Sequence, residues 1–342
     1  MIREIYMTRC EHFGLGMKGK ELMPVGSGSV NDEDAVEQKI KDDQGTFTRA
    51  LEELNVIASQ TKIRRELLEK IESIEPPSRV LSFVCSSRAG IDSSDIPVLG
   101  DFLEKIEDVQ TLNLLIDGPG GDGLAAEKIV NVCRSHCTNF RVLIPCMAKS
   151  AATIIALGAD ELVMGQYSEI GPIDPQIRII VDNVQHQISA VSFVLARDLL
   201  LKQYDEHVKK GKNAGAILQQ IAFLNPAFIH HCEQLIGFSR DVTRNFLDKY
   251  MFSGVEECER KAKIEKAVGT LLTSIESFRL HGRAIGAQDA STILTVKVLS
   301  KDDPLWKHIW AYYVRVYLFF SNQKQALKII ETKDDMLVAQ GA

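Results

Sequence analysis

From residue 79 to residue 164 the sequence switches back and forth between two periodicities. RVLSFV (79–84), TLNLLID (111–117), FRVLIP (140–145) and ELVM (161–164) are short runs dense in β-branched and large aliphatic residues. Between them lie IPVLGDFLEKIE (96–107), GLAAEKIVNVCRSH (123–136) and SAATIIALG (150–158), where apolar residues recur at helical spacing. Strands this apolar, alternating with helices, demand a parallel sheet covered on both faces. The pattern predicts an α/β fold. It also directs attention to one edge, because open parallel sheets bind ligands outside the carboxyl ends of their strands.

The flanks read differently. Leu51, Leu54, Ile57, Ile63, Leu67, Leu68, Ile71 and Ile74 recur near helical spacing and predict a helix over 46–75, stopped by Pro76-Pro77. GSGSVNDED (26–34) is turn-rich. Helices are expected over 190–208, 213–222, 226–251 and 256–280, with a late strand at TILTVKVL (292–299). The resulting division is a partly helical N-terminal extension (1–78), a central α/β domain (79–255) and a helical C-terminal extension (256–342).

Composition narrows the function classes. The net charge of −6 and the lack of a long basic run argue against nucleic acid as a partner. Cysteines stand at 10, 85, 133, 137, 146, 232 and 258, odd in number and with no CxxC pair, which reads as reduced thiols in a cytoplasmic protein. Cys133, His136 and Cys137 lack a second ligand pair at metal-site spacing, so no metal is expected. MIREIYMTRCEHFG at the N-terminus carries charges and no apolar core, unlike a secretory signal. No apolar window reaches membrane-spanning length. HIWAYYVRVYLFF (308–320) comes nearest, is interrupted by Arg315, and reads as a buried or interface helix.

Two strand-to-helix joints carry candidate chemistry. LLIDGPGGDG (114–123) ends a strand with a glycine pair, whose backbone reaches angles closed to other residues and admits close approach of a ligand. It lacks the Gly-Lys-Ser/Thr of a phosphate loop. The next strand ends at PCMAKSAAT (145–153), with Ser150 at the joint. A helix start leaves N–H groups unpaired and carries positive potential. That setting suits a capping serine, and equally a nucleophile whose product is an oxyanion.

PGGDGLAAEKI, AKSAATIIALGADELVM and SEIGPIDPQI together (119–177) resemble the Clp protease/crotonase superfamily. More closely they resemble the serine dehydrogenase proteinase family, ClpP-class and related to signal peptide peptidase A. A looser likeness runs through NPAFIHHCEQLIGFSRDVTRNFL (225–247) and HGRAIGAQDA (281–290); residues 1–78 lie outside it. The resemblance implies a Clp/crotonase-like parallel sheet with flanking helices, and a serine peptidase without metal or cofactor. Ser150 matches the nucleophile, Gly121 an oxyanion-hole position beside Gly120, and Ala151 supplies the second backbone N–H.

The chain departs from the pattern at the base. QYSEIGPIDPQI (166–177) holds no histidine where Clp-type enzymes have one. The signal peptide peptidase branch uses a lysine about fifty residues downstream, which points to Lys202, with Lys209 in reserve. The apolar run Val191–Leu201 is expected to desolvate Lys202 and lower its pKa. Lys149 is expected to point away from the serine. Asp174 either orients the base, lines the substrate groove or caps a turn. The expected partners are a peptide or protein substrate, further copies of the chain in a homo-oligomer, and a protein or ATPase that delivers substrate. Two other classes share the fold: an acyl-CoA enzyme, and a scaffold that has lost its base.

Overall fold

The computed structural model describes residues 57–106, 109–181, 183–272 and 284–341. Every described residue belongs to the unit formed by residues 50–342. The expected turn-rich stretch at 26–34, the start of the helix at 46–56 and the end of the helix at 273–280 lie outside the described residues.

Helix α1 (Ile57–Ile74) precedes β1 (Ser78–Cys85), α2 (Asp95–Ile106), β2 (Val109–Asp117), α3 (Gly123–Ser135) and β3 (Cys137–Ile144). The two-residue β4 (Met147–Ala148) leads into α4 (Ala151–Leu157), then β5 (Glu161–Met164) and the short β6 (Glu169–Ile170). A hairpin, β7 (Gln176–Val181) and β8 (Val184–Ser189), opens a helical run of α5 (Ala190–Lys209), α6 (Gly215–Ala222) and α7 (Pro226–Phe246). A π-turn at Leu247–Met251 separates α7 from α8 (Glu257–Leu272). Last come β9 (Ile285–Gly286), α9 (Ala287–Ser291), β10 (Val296–Val298), α10 (Pro304–Asn322), β11 (Ala326–Glu331) and β12 (Met336–Gln340).

Seven strands form one sheet in the order β10-β5-β3-β2-β1-β11-β12. The pairs from β10 to β1 are parallel; β1–β11 and β11–β12 are antiparallel. Side chains alternate between two cores, as the pleat requires. Leu81, Phe83, Leu114, Ile116, Val142 and Ile144 pack with α2, α3 and α4 on one face. Val80, Val84, Leu115, Leu143 and Val163 pack with α1 and α10 on the other. Burial on both faces is why these strands read as unbroken apolar runs.

The segment 256–342 contains the expected helices, but it also adds β10, β11 and β12 to the sheet, so the boundary at 255 does not divide the fold. The aromatic stretch is spent on the core: Trp306 and Tyr312 are buried against the sheet, and Arg315 is buried too, its Nη1 donating to Ala311 O at 3.1 Å. No described helix is long and apolar enough to cross a membrane.

Candidate active site

β2 and β3 run parallel in register, Leu114 beside Val142 and Leu115 beside Leu143. Their carboxyl ends therefore open on the same edge, and the glycine turn meets the serine joint there. Gly118 N–H donates to Met147 O at 2.9 Å, and Lys149 N–H donates to Gly118 O at 3.2 Å. On the other side, Ile91 N–H donates to Gly120 O at 2.7 Å and Asp122 N–H donates to Ile91 O at 2.8 Å. These two bonds make a parallel bridge between Ile91 and Gly121. Ile91 spends its own N–H and C=O on this bridge, whereas Gly121 N–H, opposite Gly120 O across the same peptide plane, points away from Ile91. Gly120, at the other end of that peptide, lies against Lys149, Ser150 and Ala151.

Both glycines are obligatory. Gly120 has φ 106° and Gly121 φ 149°. A Cβ on Gly120 would come within 2.7 Å of Lys149 O and of Ser150 Cβ; one on Gly121 would come within 2.2 Å of Ile91 O. The absence of side chains lets the turn lie directly against Ser150.

Ser150 sits at φ 48°, ψ −115°, a conformation that residues with a Cβ rarely adopt. It occupies the N-cap position of α4, yet its side chain makes no capping bond. Ser150 is only partly buried, whereas every residue of α4 is buried. Ala151 N–H, at the first helical position, has no intrahelical acceptor. A strained strand-to-helix turn that presents a hydroxyl beside unpaired N–H groups is also how hydrolase nucleophile elbows are built. The capping reading of Ser150 is therefore set aside.

One supporting residue was not singled out from sequence. Asp117 ends β2 and is buried, and its Oδ2 accepts Met147 N–H at 2.6 Å. Burial pushes its carboxyl up to about 7, opposed by the N–H groups of Met147 and Cys146 and aided by the nearby Glu169. The signal was present: an acid closing the apolar strand LLID just before the glycine turn. Lys149 reaches β6, with Nζ 2.6 Å from Glu169 Oε1. Asp174 is fully buried and accepts from Gln176 Nε2 at 2.8 Å, so it lines no open groove.

The structure thus brings together Ser150, Ala151, Gly120 and Gly121. It does not join Lys202 to them by a hydrogen bond: Lys202 and Lys209 lie exposed on α5, of which only Ala190 is buried. Leu199 and Leu201, expected to desolvate Lys202, are themselves exposed. Within this chain that desolvation is not supplied.

A family model described as ClpP-like SDH-type serine proteinase matches residues 92–191, a segment that includes the glycine turn, Ser150 and Asp174. Lys202 and the strands from β10 onward lie outside the matched segment. Two curated proteins of Methanocaldococcus jannaschii are similar over 66 residues: protein MJ0137 at 41% identity and protein MJ1495 at 42%. The match spans 19% of this chain and about a quarter of either relative's length, 23%. A mutant of the 1510-N membrane-bound stomatin-specific protease is similar at 16% identity over 41% of this chain and 67% of that one, TM-score 0.29. A putative enoyl-CoA hydratase from Streptomyces coelicolor is similar at 12% identity over 72% and 82%, TM-score 0.32. Likenesses this slight add nothing to what the sheet order and the family match establish. The family match covers residues 92–191, under a third of the chain, and takes in both joints of the candidate site.

Proposed function

We propose that the chain hydrolyses peptide bonds with Ser150 as nucleophile. Ser150 Oγ attacks the substrate carbonyl carbon, and the N–H groups of Gly121 and Ala151 hold the resulting oxyanion. The neutral amine of Lys202 takes the hydroxyl proton and gives it to the leaving amine. Water then cleaves the acyl-serine ester with the same lysine as base. No metal or cofactor takes part. The observation that carries the reading is the unused, strained Ser150 hydroxyl lying against the Gly120–Gly121 turn.

Because Lys202 is exposed in the single chain, its desolvation falls to a neighbouring copy in a homo-oligomer, with Lys209 as the alternative amine. The substrate is a peptide or protein, brought by a delivery partner. The six cysteines among the described residues are all free thiols, which supports a cytoplasmic setting. One observation favours a second reading, a scaffold without a base: both candidate amines, Lys202 and Lys209, lie exposed on α5. Peptide hydrolysis by the purified protein and by Ser150→Ala separates the two. Turnover lost in the variant supports the peptidase; equal turnover in both rejects Ser150, and none in either favours the scaffold.

A further inference from the structure

The glycine turn cannot fix its own geometry. Gly120 and Gly121 are the residues with the greatest backbone freedom, and neither has a side chain to lock it. The direction of Gly121 N–H is set from outside, by the two bonds to Ile91. What holds Ile91 therefore matters to the proposed oxyanion site, and that support comes from the far end of the chain.

Ile91 lies in the connection between β1 and α2, and three consecutive residues at the start of β11 grip this connection. Leu327 O accepts Ser86 N–H at 2.8 Å. Ala326 O accepts from Arg88 Nη2 at 3.1 Å. Lys328 Nζ donates to Asp92 Oδ2 at 2.6 Å and lies 2.8 Å from both carboxylate oxygens of Asp95. Asp95 Oδ2 also accepts Asp92 N–H at 2.8 Å, closing the turn just after Ile91. The Lys328 and Asp95 side chains are only 8% and 6% exposed, so the charges are withdrawn from water and held to each other. Buried pairs of this kind contribute little net stability, because desolvation offsets attraction. Their effect is to fix a geometry. The clearance beneath is small: a Cβ on Gly90 would stand 3.0 Å from Gly120 O.

We propose that Lys328 is a positioning residue for this active site, holding Asp92 and Asp95 so that Ile91 fixes the Gly121 N–H towards Ser150. Lys328 touches no substrate. The inference rests on the reading of Gly121 as an oxyanion donor. It gives the C-terminal strand, which lies outside the matched proteinase segment, a part in catalysis.

The test compares full-length parent, Lys328→Arg, Lys328→Met, and Lys328→Met combined with Asp95→Asn. The double variant removes both buried charges, so the fold is not lost through an unpaired carboxylate. The first readout is hydrogen exchange of the Ile91 and Asp122 amides, each bonded across the bridge. Exchange about 10-fold faster in the double variant, with Lys328→Arg near the parent, is expected. The second is steady-state peptide hydrolysis: kcat should fall about 10- to 100-fold with KM within about twofold, since an oxyanion donor acts in the transition state. A folded double variant with parental exchange at both amides overturns the proposal, as does faster exchange with an unchanged kcat. If the parent hydrolyses no peptide, the proteolytic reading fails, while the exchange data still decide whether Lys328 holds the bridge.

Discussion

Ser150 holds φ 48°, and its surroundings must make good the strain. Residues in such regions cost about 1–3 kcal/mol, whereas glycine there costs only its own roughly 0.5–1 kcal/mol of extra chain entropy. The first term is the larger, so Ser150→Gly is expected to unfold at a higher temperature than the parent while losing all hydrolysis. A calorimetric scan showing the variant less stable would mean the serine is not strained. Gly121→Ala should lower stability instead. Its Cβ would meet Ile91 main chain at 2.2 Å, where no side chain can move aside, and a loss of at least about 2 kcal/mol in denaturant unfolding is expected. Asp117 predicts a pH effect whose sign can be worked out. Its folded carboxyl titrates near 7, above the ordinary value near 4 of the unfolded chain. Below about pH 4 it is neutral in both states and its burial is cheap. As pH rises to 7 the unfolded state gains the freedom to ionise and the folded state does not, so stability is lost across that window. Asp117→Asn keeps an acceptor oxygen for Met147 N–H without the charge. Melting temperatures from pH 4.5 to 8 should show the variant gaining on the parent as pH rises; parallel curves would refute the assignment.

At the scale of elements, the alternation of β1 to β5 with α2 to α4 was legible because strands buried on both faces leave unbroken apolar runs. Their order alone puts the glycine turn and Ser150 at neighbouring strand ends. The β7–β8 hairpin was not legible. QIRIIV and VQHQIS mix polar and apolar residues, and Ile180 and Val184 remain exposed, so no burial pattern marks the strands. The position of β11 beside β1 was hidden too, since ALKIIE suits helix and strand alike and its partner strand is far away in sequence. Lys328 was invisible for the same reason, lying 236 residues from Asp92. Lys202 shows the opposite failure. The apolar run before it reads as a desolvating face, but α5 leaves that face uncovered in the single chain. Lys202→Met should therefore shift stability by less than about 0.5 kcal/mol, as surface changes do. Hydrolysis should nonetheless fall by at least about 100-fold if this amine is the base. A variant that hydrolyses at the parental rate moves the role to Lys209 or elsewhere.

For the whole molecule, the apolar surface available to meet another copy lies on the β7–β8 hairpin and the helical run after it. Trp306, Tyr312 and Tyr313 of α10 are buried, while Ile180, Leu199, Val208, Leu218 and Phe223, the last 90% exposed, leave apolar surface on the β7–β8 hairpin, α5 and the end of α6. The oligomer is expected to form through that surface. Light scattering should give the parent a multiple of the 38.1 kDa chain mass and Phe223→Glu a smaller assembly; a parent at the single-chain mass would reject the oligomer. The central claim is narrower than any assembly: one serine, at one joint, is nucleophilic. The direct measurement is reaction of the folded protein with a fluorophosphonate, followed by peptide mapping of the adduct. The account predicts a single adduct on Ser150 in the parent, lost in Ser150→Ala and on denaturation before labelling. An adduct on another residue, or none on Ser150 in protein that hydrolyses peptides, would contradict it.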